Sequence, residues 1–328
     1  MQIVDAQGVN RVLQQAGWPA LLAALRQGFA AARAADLPQR QLYGLPPHQG
    51  QENDCFAVLP AWNEEGMAVK AFTHMPQNSK AGYPLLHSQV LLFARAHGQP
   101  LALLDGASVT LWRTAAVSAL AAQLLARPQR RRMLLLGTGR LAAPLVCAHL
   151  ASAQLEQVWI WGRDPAKAQA AVQAARAAAA RLDLPQPVAQ IDVLQEELAP
   201  AVAAADLVVC ATAAPAPLVS GLWLHAGSHL DLLGNHAPNQ RECDSSAVTR
   251  SQVWVDSKKN VLAEAGEILL PCQEGVFAPH MIAGELSDLC SLRASPRESG
   301  AQERPTLFKS VGAALADLLT AQFIHRHL

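Results

Sequence analysis

The sequence Met-Leu-Leu-Leu-Gly-Thr-Gly-Arg-Leu-Ala, residues 133–142, carries the strongest structural signal in this chain. Its first part, Met133–Leu136, is a fully apolar run, typical of a strand buried on both faces of a parallel sheet. A Gly-x-Gly-x-x-Ala pattern follows and opens the helix-favouring stretch Arg140–Ala153. In such a turn the first glycine permits a tight bend, the second lets a pyrophosphate approach the backbone, and the small third residue lets helix and strand pack closely. The pattern favours a dinucleotide-binding turn over an ordinary strand-to-helix turn, with contacts from Gly137, Thr138, Gly139, Arg140, Leu141 and Ala142.

The residues after this turn alternate between apolar runs and helix-favouring segments. A long Ala-rich helix is predicted at Pro165–Leu182. The runs predicted as strands are Val158–Trp161, Val188–Ile191, Leu207–Cys210, His229–Leu233 and Val253–Asp256. This alternation predicts an α/β domain with a Rossmann-type, doubly wound parallel sheet.

The residues before the turn have a different pattern. Residues 11–35 have the periodicity of an amphipathic helix, and further helices are predicted at Ser108–Ala126 and Phe308–Arg326. A strand-rich sheet is predicted from the runs Cys55–Pro60, Met67–Phe72, Ser88–Arg95 and Pro100–Leu104. At about 100–200 residues per domain, a chain of 328 residues suggests two domains. The smaller one is expected to be α+β.

The composition excludes several classes of protein. Hydrophobic residues make up 51% of the chain and charged residues 16%, which favours a large core and argues against disorder. The 26 basic and 26 acidic side chains cancel, so a nucleic-acid or anionic-membrane partner is not expected. The six scattered cysteines indicate reduced thiols in a cytoplasmic protein, and neither a signal peptide nor a membrane-spanning segment is predicted.

The end of the second predicted strand indicates the type of dinucleotide. NAD-specific sites place an acidic residue there to bind the ribose 2′-hydroxyl. Here the strand ends in Gly162-Arg163-Asp164, which leaves room for a 2′-phosphate and provides a cation for it. Asp164 comes one residue too late, and it is predicted to cap the helix that begins at Pro165. The cofactor is therefore predicted to be NADP(H), with NAD(H) second, unless Arg163 is simply a solvated surface charge.

Two cations outside this domain are candidate substrate ligands. Lys70 lies inside the apolar run Ala68–Phe72, where a buried charge would need an anionic partner. Arg113 opens a helix-favouring segment. From the pattern alone, each is equally well explained as an exposed surface charge.

Several segments together resemble the ornithine cyclodeaminase/mu-crystallin family. They are Leu104-Asp105-Gly106, Arg113–Ala119, Gly137–Gly139, Trp161–Arg163, Gly234–His236 with Pro238, Arg241-Glu242, Val255–Ser257, Glu264–Gly266 and Leu307–Gly312. Their order and spacing extend over nearly the whole chain. The resemblance implies a homodimer of two-domain subunits that pair through a sheet. It implies a substrate-binding and dimerisation domain at residues 1–112 with 305–328, and a dinucleotide-binding domain at residues 113–304.

The resemblance also implies site residues. Arg40, Lys70 and Arg113 resemble the cations that hold the carboxylate of an amino or imino acid. Thr114, the turn Gly137–Ala142, Arg163, Ala211 and Thr212 resemble dinucleotide contacts. Lys309, Ser310 and Val311 resemble the segment beside the nicotinamide.

One position departs from the family pattern. Cyclodeaminases carry an acidic residue where this chain has His236, in Gly234-Asn235-His236. The missing carboxylate disfavours deamination of an amino acid, whereas reductases of the family do without it. His236 is a candidate for acid–base work, although a loop histidine without that role explains it slightly better.

These observations lead to a functional hypothesis. The chain is expected to be an NADPH-dependent oxidoreductase that reduces the C=N bond of a small cyclic imino acid. Expected substrates are Δ1-pyrroline-2-carboxylate or Δ1-piperideine-2-carboxylate, which give proline or pipecolate. Lys70 and His236 are the catalytic candidates. No metal is expected, because no cysteine or carboxylate completes the histidine pairs His225/His229 and His325/His327 at metal-ligand spacing. The alternatives are an ornithine cyclodeaminase with bound NAD and a non-catalytic NADPH-binding protein of the same family.

Overall fold

The protein was studied as a computed structural model that describes residues 1–32, 37–46, 54–182, 189–291 and 304–328. The chain forms two compact units. The first comprises Met1–Gly28, Ala32–Arg113 and Ala313–Leu328, and the second comprises Phe29–Ala31 and Thr114–Gly312. The sequence predicts domain boundaries at residues 112/113 and 304/305, whereas these compact units meet at residues 113/114 and 312/313.

The first unit contains a mixed sheet. Its elements are β1 (Gln2–Val4), α1 (Ala6–Ala31, whose end lies in the second unit), β2 (Gln41–Gly44), β3 (Cys55–Trp62), β4 (Gly66–His74), β5 (Leu86–Ala94), β6 (Pro100–Asp105), the start of α2 (Gly106–Leu125) and α10 (Ala314–Arg326). Among the described residues the strand order is β1-β6-β5-β4-β3-β2, antiparallel except for the β1–β6 pair. Helix α10 packs against β3, β4 and β5. Side chains on the covered face of β4 are therefore shielded from water.

The second unit is the predicted α/β domain. Its elements are the rest of α2, β7 (Arg132–Leu136), α3 (Ala142–Leu150), β8 (Gln157–Trp161), α4 (Pro165–Ala179), β9 (Gln190–Val193), α5 (Leu198–Ala204), β10 (Leu207–Cys210), β11 (His229–Leu232), α6 (Ser245–Arg250), β12 (Gln252–Val255), α7 (Lys258–Glu264), α8 (Gly266–Gln273), β13 (Gly284–Glu285), α9 (Leu286–Ser291) and β14 (Thr306–Lys309). Over the described residues the sheet is parallel throughout, in the order β13-β12-β14-β11-β10-β7-β8-β9. The prediction of a doubly wound parallel sheet is confirmed. Val188, the predicted start of one strand, lies outside the described residues.

The strand order reverses between β7 and β10. Chain connections leave β7 towards β8 on one side, whereas β10 and β11 extend the sheet on the other side. Open α/β sheets bind their ligands at such a switch point, outside the carboxyl ends of the strands. The turn after β7 and the loop after β10 meet there, because the amide of Ala211 donates to the carbonyl of Leu136 over 2.8 Å.

The prediction of a helix over Phe308–Arg326 was wrong at its start. Residues Thr306–Lys309 form strand β14, which lies between β11 and β12 and is buried along its length. The helix begins only at Ala314. Periodicity does not distinguish a short buried strand from a helical segment.

Candidate active site

The predicted turn at Gly137–Ala142 lies between β7 and α3 at the switch point. Gly137 has a φ of +135°, and a Cβ built there would lie 2.5 Å from the carbonyl oxygen of Ala211. Only glycine fits this bend. A Cβ on Gly139 would meet no atom within 4 Å, and both Gly139 and Arg140 are exposed. The second glycine therefore has open space above its backbone.

The amino end of α3 suits a phosphate. Its N-cap residue, Leu141, has no side chain that accepts a hydrogen bond from the first turn. The first N–H groups of a helix are intrinsic donors for an anion. In α3 the Ala142 amide already donates to the carbonyl of Gly139 over 3.0 Å and Pro144 has no N–H, so Ala143 supplies the open amide of the first turn. Ala142 is 3% exposed, as expected for the small residue that lets α3 approach β7. These residues fit the pyrophosphate of a dinucleotide.

The residues after β8 are the predicted contacts for the adenosine half of such a cofactor. The carboxylate of Asp164 accepts hydrogen bonds from the amides of Ala166 and Lys167 over 2.9 and 3.2 Å. The prediction that Asp164 caps α4 is therefore confirmed, and this carboxylate is used within the protein. Arg163 is exposed at the same turn.

Lys70 is buried, whereas the sequence alone left open that it is an exposed surface charge. It is 4% exposed and lies on the face of β4 that α10 covers. Its Nζ donates to Thr110 Oγ1 over 3.1 Å and to Oδ1 and Oδ2 of Asp317 over 3.2 and 3.1 Å. The exposed-charge interpretation of Lys70 is wrong.

Arg113 joins the same carboxylate. Its Nε lies 3.0 Å from Asp317 Oδ1, and the residue is 9% exposed. Lys70, Arg113 and Asp317 are called the cation cluster below, because two cations share one carboxylate. Burial lowers the pKa of Lys70 to about 8, and the attraction of Asp317 opposes this shift. Repulsion from Arg113 and, to a smaller extent, from Arg40 lowers the pKa further.

A second buried charge cluster holds the loops that follow β10 and β11. It contains Lys309 with Glu242, Glu267 and Asp231 and is called the acid cluster below. Lys309 Nζ lies 3.1 Å from Glu267 Oε2 and donates to the carbonyl of Asn235 over 2.6 Å. Glu267 Oε1 accepts from the amide of Glu242 over 3.1 Å. All four charged residues have no exposed surface.

Glu242 joins the two loops directly. Its Oε1 accepts from the amide and the hydroxyl of Thr212, both over 2.7 Å, and its Oε2 accepts from the amide of Gly234 over 2.9 Å. The loops approach closely, because a Cβ on Gly234 would lie 2.1 Å from the Thr212 nitrogen. Asn235 Nδ2 adds a bond to the carbonyl of Ala214 over 2.9 Å. Ala211 and Thr212, two predicted cofactor contacts, are half-buried on this fixed edge.

Asp231 lies deeper in the same unit. Ser118 Oγ contacts both Asp231 Oδ2 and His149 Nε2. Burial raises the pKa of Asp231 to about 7, with the Ser118 hydrogen bond opposing the shift. Burial also lowers the pKa of His149 to about 3, so this imidazole is neutral at physiological pH.

The remaining predicted site residues take different positions. Thr114 is half-buried on α2, and His236 is exposed in the loop after β11. Ser310 and Val311 are 8 and 9% exposed, just after β14. The Lys309 side chain is fully buried against Glu267 and Asn235, and the position of its segment beside the nicotinamide stays a prediction.

Sequence reasoning missed the carboxylates of both clusters. Asp317 stands alone among apolar residues in Ala314–Phe323, and such an isolated charge is a weak signal of a buried partner. Glu242 appeared in a family segment without a role. Glu267 and Asp231 gave no signal.

Comparison with known proteins gives the family. The model of the ornithine cyclodeaminase/mu-crystallin family matches residues 9–328. The chain belongs to this family. The family resemblance of the sequence is thereby confirmed.

Two relatives and one solved structure are similar to this chain over nearly its whole length. A Δ1-pyrroline-2-carboxylate reductase of Colwellia psychrerythraea is 43% identical over 329 residues, which cover 99% of this chain and 98% of the relative. A Δ1-pyrroline-2-carboxylate reductase of Paracoccus denitrificans is 34% identical, and the match covers 94% of this chain and 92% of the relative. The Thermococcus litoralis Δ1-pyrroline-2-carboxylate reductase, whose structure was solved with NADH and L-proline, is similar to this chain with a TM-score of 0.87 and 26% identity. The match covers 100% of this chain and 97% of that structure.

No group of three or more His, Cys, Asp or Glu among the described residues has an arrangement that could hold a metal ion. Within the same residues, no helix has the length and apolar character needed to cross a membrane.

Proposed function

We propose that this protein is an NADPH-dependent reductase of a cyclic imino acid, Δ1-pyrroline-2-carboxylate or Δ1-piperideine-2-carboxylate. The observation that carries the proposal is the buried cation cluster, in which Lys70 and Arg113 share the single carboxylate of Asp317. The excess positive charge suits a small anionic substrate. The 43% identical relative, which has this activity in its name, supports the same assignment.

The carboxylate of the substrate is assigned to the cation cluster. Within the described residues, the two terminal nitrogens of Arg113 form no hydrogen bond, since only its Nε is engaged. A guanidinium edge of this kind matches a carboxylate in a bidentate contact. Binding there would neutralise the excess charge and fix the orientation of the ring.

The cofactor is assigned to the second unit. The turn Gly137–Ala142 and the amino end of α3 would hold its pyrophosphate, and the loop edge at Ala211 and Thr212 would border its nicotinamide half. When bound, a nicotinamide dinucleotide supplies a hydride to the imine carbon.

The imine nitrogen must gain a proton as the C=N bond becomes CH–NH. Lys70 is the proposed source or relay, because a pKa of about 8 allows it to give up a proton near neutral pH. His236, exposed in its loop, is the second candidate.

Steady-state assays test the proposal. Oxidation of NADPH is followed with each of the two cyclic imines, and the products are identified as proline or pipecolate. No turnover with either imine, from protein that binds NADPH, would reject the reductase and favour a binding protein. Release of proline and ammonia from L-ornithine without net change in NADH would favour a cyclodeaminase.

NADP(H) is proposed as the preferred form of the cofactor. Arg163 is exposed at the end of β8, and the nearest acidic residue in the chain, Asp164, is used as a helix cap. A ribose 2′-phosphate therefore meets a cation and no free carboxylate at this turn.

A homodimer is also proposed, paired through the uncovered face of the first sheet. This face carries Tyr43, Phe56 and Trp62, which are 48, 38 and 43% exposed, and apolar patches of this kind mark interaction surfaces. Light scattering is expected to give the mass of two chains for the wild type and of one for Phe56→Lys/Trp62→Lys. A monomeric wild type would reject the proposal. The cytoplasm is the proposed location, because the scattered cysteines suit a reducing compartment.

A further inference from the structure

Asp317 occupies the centre of the cation cluster. It lies on α10 and is 2% exposed. Its Oδ1 bonds both Lys70 Nζ and Arg113 Nε, and its Oδ2 bonds Lys70 Nζ again. One carboxylate therefore fixes two cations that come from β4 and α2.

Asp317 also influences the protonation state of Lys70. The groups that face Lys70 are Asp317 from α10, Arg113 and Thr110 from α2, and Arg40 from the segment before β2. Among the charged groups of the described residues, Asp317 alone favours the ammonium form, whereas burial and both arginines disfavour it. Without this carboxylate, Lys70 would lose its proton at a lower pH.

The contacts also leave room for a ligand. Asp317 engages Arg113 at Nε, away from the terminal nitrogens that suit a substrate carboxylate. The two contacts of Asp317 to Lys70 share one Nζ, so a second anion can replace one of them without breaking the pair.

We propose that Asp317 is a positioning residue of the reaction: it holds Lys70 and Arg113 in place and keeps Lys70 charged for an anionic substrate. This inference rests on the proposed function. Asp317 acts through the two cations and is not assigned a contact with the substrate.

The test compares Asp317→Asn with the wild type across the pH range 6 to 9.5. At pH 6.5, where Lys70 is protonated in both, kcat/KM is expected to fall roughly tenfold from lost positioning, the size of one charged hydrogen bond. At pH 8.5 the loss is expected to be several-fold larger than at pH 6.5, because wild-type Lys70, with a pKa of about 8, keeps a larger protonated fraction than the variant. NADPH affinity, followed by fluorescence, is expected to stay unchanged.

The matched control is Asp317→Glu, which keeps the charge and moves it by one methylene. It is expected to lose activity by a factor that stays constant from pH 6.5 to 8.5. A loss in Asp317→Asn that is equally independent of pH would overturn the role in keeping Lys70 charged, and leave Asp317 as a structural residue.

A binding measurement separates this inference from the proposed function and needs no variant that folds poorly. Calorimetry of wild type with L-proline at pH 8.5, in buffers of different ionisation enthalpy, is expected to show proton uptake as Lys70 becomes fully charged. L-Prolinamide, which lacks the carboxylate, is expected to show none. L-Proline binding with proton uptake but no imine turnover would reject the proposed function and keep the inference. L-Proline binding without proton uptake, or no binding at all, would overturn the inference.

Discussion

The two buried charge clusters differ in the sign of their excess charge and in what their hydrogen bonds reach. In the cation cluster, Lys70 and Arg113 share one carboxylate, and their bonds end on side chains. In the acid cluster, Lys309 is the one cation beside three carboxylates and pairs with Glu267. The bonds of Glu242 end on the backbone amides of Thr212 and Gly234 and on the Thr212 hydroxyl. The first cluster keeps binding capacity for a ligand. The second uses its capacity to fix the loops that follow β10 and β11.

This difference separates two uses of buried charge. Burying ions costs free energy that their attraction seldom recovers in full. A cluster whose hydrogen bonds end on backbone groups fixes the geometry of the loops. A cluster with an unbalanced charge becomes neutral only when a ligand of opposite charge binds. Stability measurements should therefore report mainly on the acid cluster, and kinetic measurements mainly on the cation cluster.

The largest effect is expected for Lys309→Met. Removing the cation leaves Glu267 buried without its partner, which costs about 3–5 kcal/mol of unfolding free energy. Urea unfolding of the cofactor-free protein measures the loss. The double variant Lys309→Met/Glu267→Gln is the control and is expected to recover part of it. If Lys309→Met has the same unfolding free energy as the wild type, the acid cluster does not stabilise the fold.

Lys70→Ala is expected to lower kcat/KM for the imine by about two to three orders of magnitude. Each charged hydrogen bond contributes roughly 1.5–3 kcal/mol, and the proposed proton source is lost as well. NADPH affinity by fluorescence is the control and should not change. Activity like that of the wild type would return Lys70 to a structural role.

Arg113→Ala is expected to lower kcat/KM by about one to two orders of magnitude. It removes one charged contact of roughly 1.5–3 kcal/mol but leaves the Lys70–Asp317 pair. Arg113→Lys should recover little, because an ammonium lacks the bidentate edge. Full recovery by lysine would show that charge alone matters at this position.

Arg163→Ala is expected to raise KM for NADPH roughly tenfold to a hundredfold, equivalent to about 1.4–2.8 kcal/mol. KM for NADH is expected to change little, because NADH lacks the 2′-phosphate. The matched control is Arg181→Ala, a replacement at another exposed arginine of the same unit. Equal losses with both cofactors would contradict the assignment of NADPH.

The smallest effect concerns pH and Asp231. Its pKa is about 7 in the folded protein against 3.8 for the free side chain, so the folded state binds the extra proton between these values. The stabilising contribution of the protonated form is therefore lost as the pH rises towards and through 7. Wild type is expected to lose a few degrees of Tm more than Asp231→Asn does between pH 5 and 8, on the scale of about 2–4 °C per kcal/mol. Asp192→Asn, at a half-exposed carboxylate, is the control and should behave like the wild type.

Local signals in the sequence predicted more of this protein than long-range ones. The turn at Gly137–Ala142 and the cap at Asp164 depend on neighbouring residues, and both were predictable from spacing. The partners of Lys70 were not, because Asp317 follows it by 247 positions. Strand β14 was mistaken for helix for a related reason, since what defines it is the pair of strands on either side. Pairings that only the tertiary fold creates leave little trace in a single sequence.

Strand β14 also has a consequence for how the protein is made. Strands β11 and β12 each pair with β14. Because β14 comes after both in the chain, the nascent sheet remains split until residues 306–309 have left the ribosome. Long-range parallel pairing is slow, and unpaired strand edges promote aggregation. Asp317 follows β14 in the chain, so a chain truncated before residue 306 would have an open sheet and a Lys70 without its carboxylate partner. The sheet is therefore expected to close only after residues 306–309 have been synthesised.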